Sequence, residues 1–155
     1  MAATSTNKQP LLVDHIFHYA LNLDTSINDG IDIGGTNTAS LLVDSTSADG
    51  AIVEDIYTIA RGTTAAKINL YLSTAQDYLR PNQSVFIGSV TSATTIGNVT
   101  RWEEMPRTLT PVPQVGTESF NRALYVPKGY ALWAARNSPT NVTDGPILGC
   151  QGGWY

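Results

Sequence analysis

One segment near the amino end has the composition of a phosphate-binding turn. It reads GIDIGGTNTASLLVD from Gly30 to Asp44, with Asp32 just before the turn Gly34-Gly35-Thr36. A glycine-rich turn lets backbone N–H groups approach a phosphate closely. The alternative is a glycine-bent loop that leads into a strand, because short motifs of this kind also match without any such function.

Metal ligands are sparse. His15 and His18 are the only histidines, and residues three apart on a strand face opposite ways, so we expect one buried and one exposed ring. The segment from Asp24 to Gly35 is rich in Asp, Asn and Gly, but an EF-hand needs glycine sixth and glutamate twelfth. Those positions hold Asp29 and Gly35. We predict no metal site and no cofactor, with an irregular calcium loop as an unsupported alternative.

Nucleophiles and acid/base pairs are equally scarce. Cys150 is the only cysteine and has no local helper residue, so a small packed side chain is expected. Glu103 and Glu104 are adjacent and would point apart on a strand, which makes a poor acid/base pair. We predict no catalytic residues and no enzyme activity.

Three tryptophans, Trp102, Trp133 and Trp154, could together form a platform for a sugar. Core or interface packing is the more common use of tryptophan, so sugar binding is the minor alternative.

The stretch from Arg122 to Arg136, RALYVPKGYALWAAR, alternates apolar residues on both sides of Val126-Pro127-Lys128-Gly129. Proline presets φ for the first corner of a turn, and glycine accepts the left-handed position that closes a hairpin loop. The pattern predicts a β-hairpin as the organising element of the fold.

The other apolar segments also favour strands. Leu11 to Leu23 fits a strand with Val13, His15, Phe17, Tyr19 and Leu21 on one face, although a helix is the alternative. Ala51 to Ala60 is apolar on both faces, which indicates a central strand. Lys67 to Ser73 alternates without a break, with Ile68, Leu70 and Leu72 predicted inward and Lys67, Asn69, Tyr71 and Ser73 predicted outward. Ser84 to Ser92 is predicted to pair with Gly97 to Trp102.

Eight to nine short strands with turn signals between them predict an all-β fold, a single β-sandwich or jelly-roll-like domain. The predicted domain spans residues 11–155 and follows a flexible, polar N-terminal arm of residues 1–10.

Charge and hydropathy exclude two classes of partner. The formal net charge is −4 and only 14% of residues are charged, with no basic run, so we expect no nucleic-acid partner. The absence of a long apolar segment predicts no membrane span, and the start of the chain lacks the apolar core of a secretory signal.

The segment from Gly30 to Asp44 resembles the first phosphate-binding motif of the sugar-kinase and actin-like ATPase superfamily. That resemblance implies that Asp32 handles a metal-bound phosphate and that Gly34, Gly35 and Thr36 approach it. The rest of the chain departs from the family, which has two lobes and a second phosphate loop. A nucleotide-binding fragment is therefore the second alternative for function.

Several stretches together resemble small virion proteins of tailed bacteriophages, particularly capsid decoration (cement) proteins. The resemblance is carried by five stretches: NKQPLLVD, IYTIARGTTAAKINLYLST, YLRPNQSVFIGSVTSATT, RALYVPKGYALWAA and GCQGGWY. It implies a non-enzymatic structural protein on the capsid surface of the virion, with the major capsid protein and further copies of itself, as a homotrimer, as partners. The first alternative is a tail-fibre or appendage domain that binds host polysaccharide.

A decoration protein acts through its interfaces, so the candidate site is a set of interface residues in the arm and at the carboxyl end. For the aromatic end, folding back onto its own sandwich is an equal alternative. The candidate interface residues are Thr4, Asn7, Lys8, Gln9, Trp154 and Tyr155.

Overall fold

The computed structural model describes residues 15–23, 39–75, 79–80, 82–103, 123–137 and 145–154. These residues form nine strands and no helix, which confirms the predicted all-β class. The strands are β1 (His15–Asn22), β2 (Ser40–Asp44), β3 (Gly50–Ile59), β4 (Lys67–Ser73), β5 (Ser84–Thr91), β6 (Val99–Arg101), β7 (Leu124–Pro127), β8 (Ala131–Asn137) and β9 (Ile147–Trp154).

The strands form two antiparallel sheets. In the five-stranded sheet β9 lies between β1 and β3, and the other edge of β3 is shared by β7 and β6. The four-stranded sheet has the order β2-β8-β4-β5. The prediction that the Ala51 to Ala60 segment forms a central strand is confirmed, because β3 has partners along both edges.

Both sheets contribute to one apolar core, as a β-sandwich requires. The five-stranded sheet supplies residues such as Phe17 and Ile56, and the four-stranded sheet supplies Leu70 and Leu132. The jelly-roll variant of this architecture stays a prediction. The N-terminal arm lies outside the described residues.

The outer face of the four-stranded sheet is also buried along β4 and β8, which corrects the predicted orientation of Lys67 to Ser73. Tyr71 packs with Trp133 and Leu79 in a second apolar cluster, and Asn69 and Ser73 are buried as well. The connection after β4 covers this face, since the indole nitrogen of Trp133 donates a hydrogen bond to the Ala75 carbonyl oxygen. Of the four side chains predicted outward, only Lys67 is exposed.

The predicted organising hairpin is wrong, because its two arms lie in different sheets. Leu124–Pro127 pairs with β3, whereas Ala131–Asn137 lies between β2 and β4. The turn itself forms as expected: Tyr130 N–H donates to the Pro127 carbonyl oxygen at 3.0 Å, and Gly129 has a φ of 80°. Alternation shows which face of a strand is buried but does not identify the neighbouring strand.

The predicted pairing of Ser84–Ser92 with Gly97–Trp102 is also wrong. β5 pairs with β4 in one sheet, and β6 pairs with β3 in the other. The connection crosses the sandwich because Trp102 is buried in the core, where its ring lies against the backbone of Gly88. Burying the indole ring favours this crossing over a local hairpin.

Within the described ranges, no helix occurs that is long and apolar enough to cross a bilayer.

Candidate functional site

The outer face of the five-stranded sheet, called the open face below, presents four rows of side chains across the strands. The rows follow from the strand registers and from the period of two along each strand. Row 1 is Ile16, Gly153, Ile52 and Tyr125; row 2 is His18, Gln151 and Asp55; row 3 is Ala20, Gly149, Tyr57 and Arg101; row 4 is Asn22, Ile147, Ile59 and Val99.

Row 1 exposes large apolar side chains in spite of its place on a well-formed sheet. The side chain of Ile16 is 88% exposed and that of Tyr125 is 49% exposed. Gly153 lies between Ile16 and Ile52 and has no side chain, so the surface of the row has a depression at that position. Row 4 has the same character, with Val99 53% exposed at its edge.

The middle of the open face is polar, and Gly149 of β9 lies beneath its side chains. Tyr57 lies on Gly149, where a Cβ atom would come within 2.6 Å of the ring carbon Cε2. The Tyr57 hydroxyl and His18 Nε2 are 2.5 Å apart and form a hydrogen bond, and their rings meet edge to face. Glycine in β9 is therefore what allows the tyrosine to lie flat and reach the histidine two strands away.

Charges on the open face are separated along the strands. Asp55 in row 2 forms an ion pair with Arg101 in row 3, and the arginine side chain remains 65% exposed. Beyond them, Arg61 donates a hydrogen bond to the Asn22 side chain in row 4 at 2.9 Å. Within this ion pair the carboxylate lies on the row 1 side and the guanidinium on the row 4 side, and Arg61 adds a second positive charge near row 4.

A flat surface with apolar ends and a polar centre is suited to covering another surface. Non-obligate protein interfaces have this mixed composition, with apolar contacts supplemented by hydrogen bonds and ion pairs. Among the described residues, no three His, Cys, Asp or Glu side chains come together in a way that would hold a metal ion.

The predicted interface residues are mostly outside the described part of the chain. This applies to Thr4, Asn7, Lys8, Gln9 and Tyr155. Trp154 is described.

Trp154 is half-buried and packs against Phe17, with ring centroids 4.9 Å apart. It therefore folds back onto its own sandwich, as one of the two alternatives expected. An additional interface role for Trp154 stays a prediction.

The candidate phosphate turn, with Asp32, Gly34, Gly35 and Thr36, lies outside the described residues, as does the segment considered for calcium. Asp44, at the end of that motif, is exposed and accepts a hydrogen bond from the Thr46 backbone N–H.

Both histidines are exposed, which corrects the expectation of one buried ring. His15 and Phe17 share the alternation of β1, but His15 pairs with Trp154 at the end of the sheet, where the core ends. His18 is exposed on the open face.

Cys150 is packed in the core as expected. Burial raises the pKa of its thiol to about 12, while a hydrogen bond with the backbone of Tyr19 opposes the rise. The thiol is therefore protonated at neutral pH.

The three tryptophans do not form a common platform. Trp102 is buried in the central core and Trp133 in the cluster outside the four-stranded sheet. Trp154 lies at the edge of the central core, so no face of the sandwich presents all three rings.

The open face was missed from the sequence, although one signal pointed to it. The apolar residues on both faces of β3 include Ile52 and Ile59, which lie in rows 1 and 4. On a strand with one buried face, such residues indicate a second contact surface.

The fold and the open face together define a β-sandwich with one exposed, mixed-polarity sheet surface. Comparison of the chain with protein-family models, with curated proteins and with solved structures gives no significant match.

Proposed function

We propose that the chain is a non-enzymatic structural protein of a bacteriophage virion, a decoration (cement) protein that stabilises the head. It lies on the capsid surface, where it contacts the major capsid protein and further copies of itself, in the homotrimer that the sequence resemblance implies. The observation that supports the proposal best is the open face, whose rows 1 and 4 leave apolar side chains exposed.

Apolar side chains that stay exposed contribute no burial free energy to folding, so a protein without a binding partner gains nothing from exposing them in rows. Each exposed Å² of apolar surface forgoes about 25 cal/mol of burial free energy. Ile16, Tyr125 and Val99 are all about half exposed or more and lie on one face. Exposed apolar side chains that share one sheet face favour a protein contact there, and Val85 and Phe86 form a separate exposed pair on β5.

The direct test uses expanded capsids that lack the protein. We expect purified protein to co-sediment with them at a saturating stoichiometry and to raise the temperature at which the capsids release their DNA. The variant Ile16→Asp places a charge in row 1, and we expect it to weaken binding at least tenfold.

Val85→Asp is the matched control. Val85 is 64% exposed but lies on β5 in the other sheet. We expect this variant to bind as the unchanged protein does. Absence of co-sedimentation at any protein concentration would overturn the proposal.

Binding of host polysaccharide by a tail-fibre or appendage domain is the second candidate. The observation that favours it is the centre of the open face, where the Tyr57 ring lies over Gly149 and is hydrogen-bonded to His18, the residue that pairs with Gln151. Aromatic rings flanked by polar side chains are a common arrangement for sugar binding. Purified host surface polysaccharide should then shift the NMR signals of Tyr57 and His18, and Tyr57→Ala should abolish the shifts.

A nucleotide-binding fragment is the remaining alternative from the sequence. It predicts ATP and magnesium binding that is lost in Asp32→Ala.

A further inference from the structure

The rows of the open face read nearly the same from either end of the strands. Row 1 is apolar, and row 4 is apolar at Ile147, Ile59 and Val99 but polar at Asn22; rows 2 and 3 between them carry most of the hydrogen-bonding and charged groups. The open faces of two copies can therefore match each other. When the strands of one copy run opposite to those of the other, row 1 of each copy lies on row 4 of its partner.

The charged side chains favour pairing in which the order of the rows is reversed between the two copies. Asp55 lies in row 2, Arg101 in row 3, and Arg61 reaches Asn22 in row 4. Reversing the rows between two copies places the Asp55–Arg101 ion pair of one copy over the same pair of the other in the opposite order, so each carboxylate lies near a second guanidinium. Keeping the rows in the same order would place like charges together, which is unfavourable in a desolvated contact.

We infer that the open face pairs with the open face of a second copy of this chain. The two-fold axis lies between the sheets and perpendicular to the strands, so each row 1 covers a row 4. Ile52 then lies over the partner's Ile59, and Tyr125 lies over the partner's Val99. Arg101 comes beside the partner's Asp55.

The area of the face is sufficient for such a pair. Four strand positions spaced about 4.8 Å apart and about eight residues long at about 3.3 Å per residue give roughly 500 Å² per copy. Two copies would therefore bury on the order of 1,000 Å², the lower limit of a specific interface. The expected association is weak and reversible.

This inference deepens the proposed function, on which it rests: it assigns the open face to contacts between copies on the capsid, so Ile16→Asp would weaken capsid binding by breaking the pair. A two-fold contact between identical surfaces closes on itself, so it joins copies only in pairs. The assembly in solution is then a dimer, or a hexamer when the homotrimer implied by the sequence also forms. Light scattering on the full chain should give an even number of copies at high concentration.

Cysteine cross-linking tests the pairing and its orientation. Tyr125→Cys combined with Val99→Cys should form an intermolecular disulfide under mild oxidation. Positions 125 and 99 pair with residues 52 and 59 of β3 and are roughly 20 Å apart within one chain. A disulfide needs Cα atoms within about 7 Å, so any bond joins two chains. Cys150 is buried and does not compete.

Ile16→Cys combined with Tyr125→Cys is the matched control. These two cysteines would meet only if the two-fold axis were parallel to the strands, because row 1 of one copy would then lie on row 1 of the other. We expect most of the first double variant to migrate as a covalent dimer and little of the second. Strong cross-linking of the second alone would overturn the orientation.

The unchanged protein provides a test that needs no substitution. A monomer or a trimer at the highest soluble concentration would overturn the pairing. A protein that binds capsids without pairing would overturn this inference and leave the proposed function standing. A protein that pairs but never binds capsids would overturn the proposed function alone.

Discussion

Gly152 provides the closest approach between chain segments in the five-stranded sheet. A Cβ atom there would lie 2.9 Å from Val53 Cα and 2.9 Å from the Phe17 ring, and it would also overlap the Ile52 carbonyl oxygen. Backbone atoms cannot move aside as the end of a flexible side chain can, so the glycine is what allows β9 to pass between β1 and β3.

We expect Gly152→Ala to lower the free energy of unfolding by about 2–4 kcal/mol, because the added methyl group overpacks the sheet. Urea unfolding measures the loss. Gly97→Ala is the control: its φ of 86° is strained for alanine, but nothing lies within 4 Å, so about 1 kcal/mol is expected. Equal losses in the two variants would contradict the packing argument.

Cys150 links stability to pH. Burial raises the pKa of its thiol from the ordinary value of 9.0 to about 12 in the folded chain. Above pH 9 the unfolded chain loses a proton that the folded chain retains, so the stability contribution present below pH 9 is lost progressively towards pH 12.

We expect unfolding experiments between pH 9 and 12 to show a steeper loss of stability for the unchanged protein than for Cys150→Ala. The difference should approach one proton released on unfolding. Parallel stability curves for the two proteins would show that the thiol ionises equally in both states.

At the scale of strands and turns, Ser45 joins the end of β2 to the connection between the two sheets. Its buried hydroxyl donates to the Pro127 carbonyl oxygen at 2.5 Å, and its backbone N–H donates to the Tyr130 carbonyl oxygen at 3.1 Å. Gly129 N–H in turn donates to the Ser45 carbonyl oxygen. Ser45 thus holds the turn at which the chain changes sheets.

We expect Ser45→Ala to lower the free energy of unfolding by about 0.5–1.5 kcal/mol, because the hydrogen bond from the buried hydroxyl to the Pro127 carbonyl oxygen is lost while Tyr130 N–H still donates to that oxygen. Thermal unfolding should show the loss. Ser47→Ala removes the same hydroxyl from an exposed position nearby and should change stability by less than about 0.5 kcal/mol. A neutral Ser45→Ala variant would show that the turn is held by packing alone.

The sequence predicted strand positions well and strand partners poorly. Period-two alternation identified β4 as a strand but did not reveal that Tyr71 and Ser73 are buried too, since the cover comes from the connection that follows β4 and from Trp133 of β8. Turn residues identified the reversal at Gly129 but not the change of sheet.

The candidate site was not predictable for the same physical reason. Ile16 and Tyr125 are 109 positions apart in the sequence and enter one row only through the registers of β9 and β3. Nothing local to either residue marks it as part of a surface.

At the scale of the whole molecule, the two sheets have different environments. The four-stranded sheet is buried on both faces over much of β4 and β8 and exposes Val85 and Phe86 only at its edge strand β5, whereas the five-stranded sheet leaves side chains of rows 1 and 4 exposed. This asymmetry supports the proposal that the sandwich is a rigid support for one contact surface.

The most direct measurement is a cryo-electron microscopy difference map between expanded capsids with and without the added protein. We expect ordered extra density on the outer surface, into which the two-sheet sandwich fits with its open face buried against another subunit. Absence of added density at saturating protein, or a sandwich bound with its open face in solvent, would contradict it.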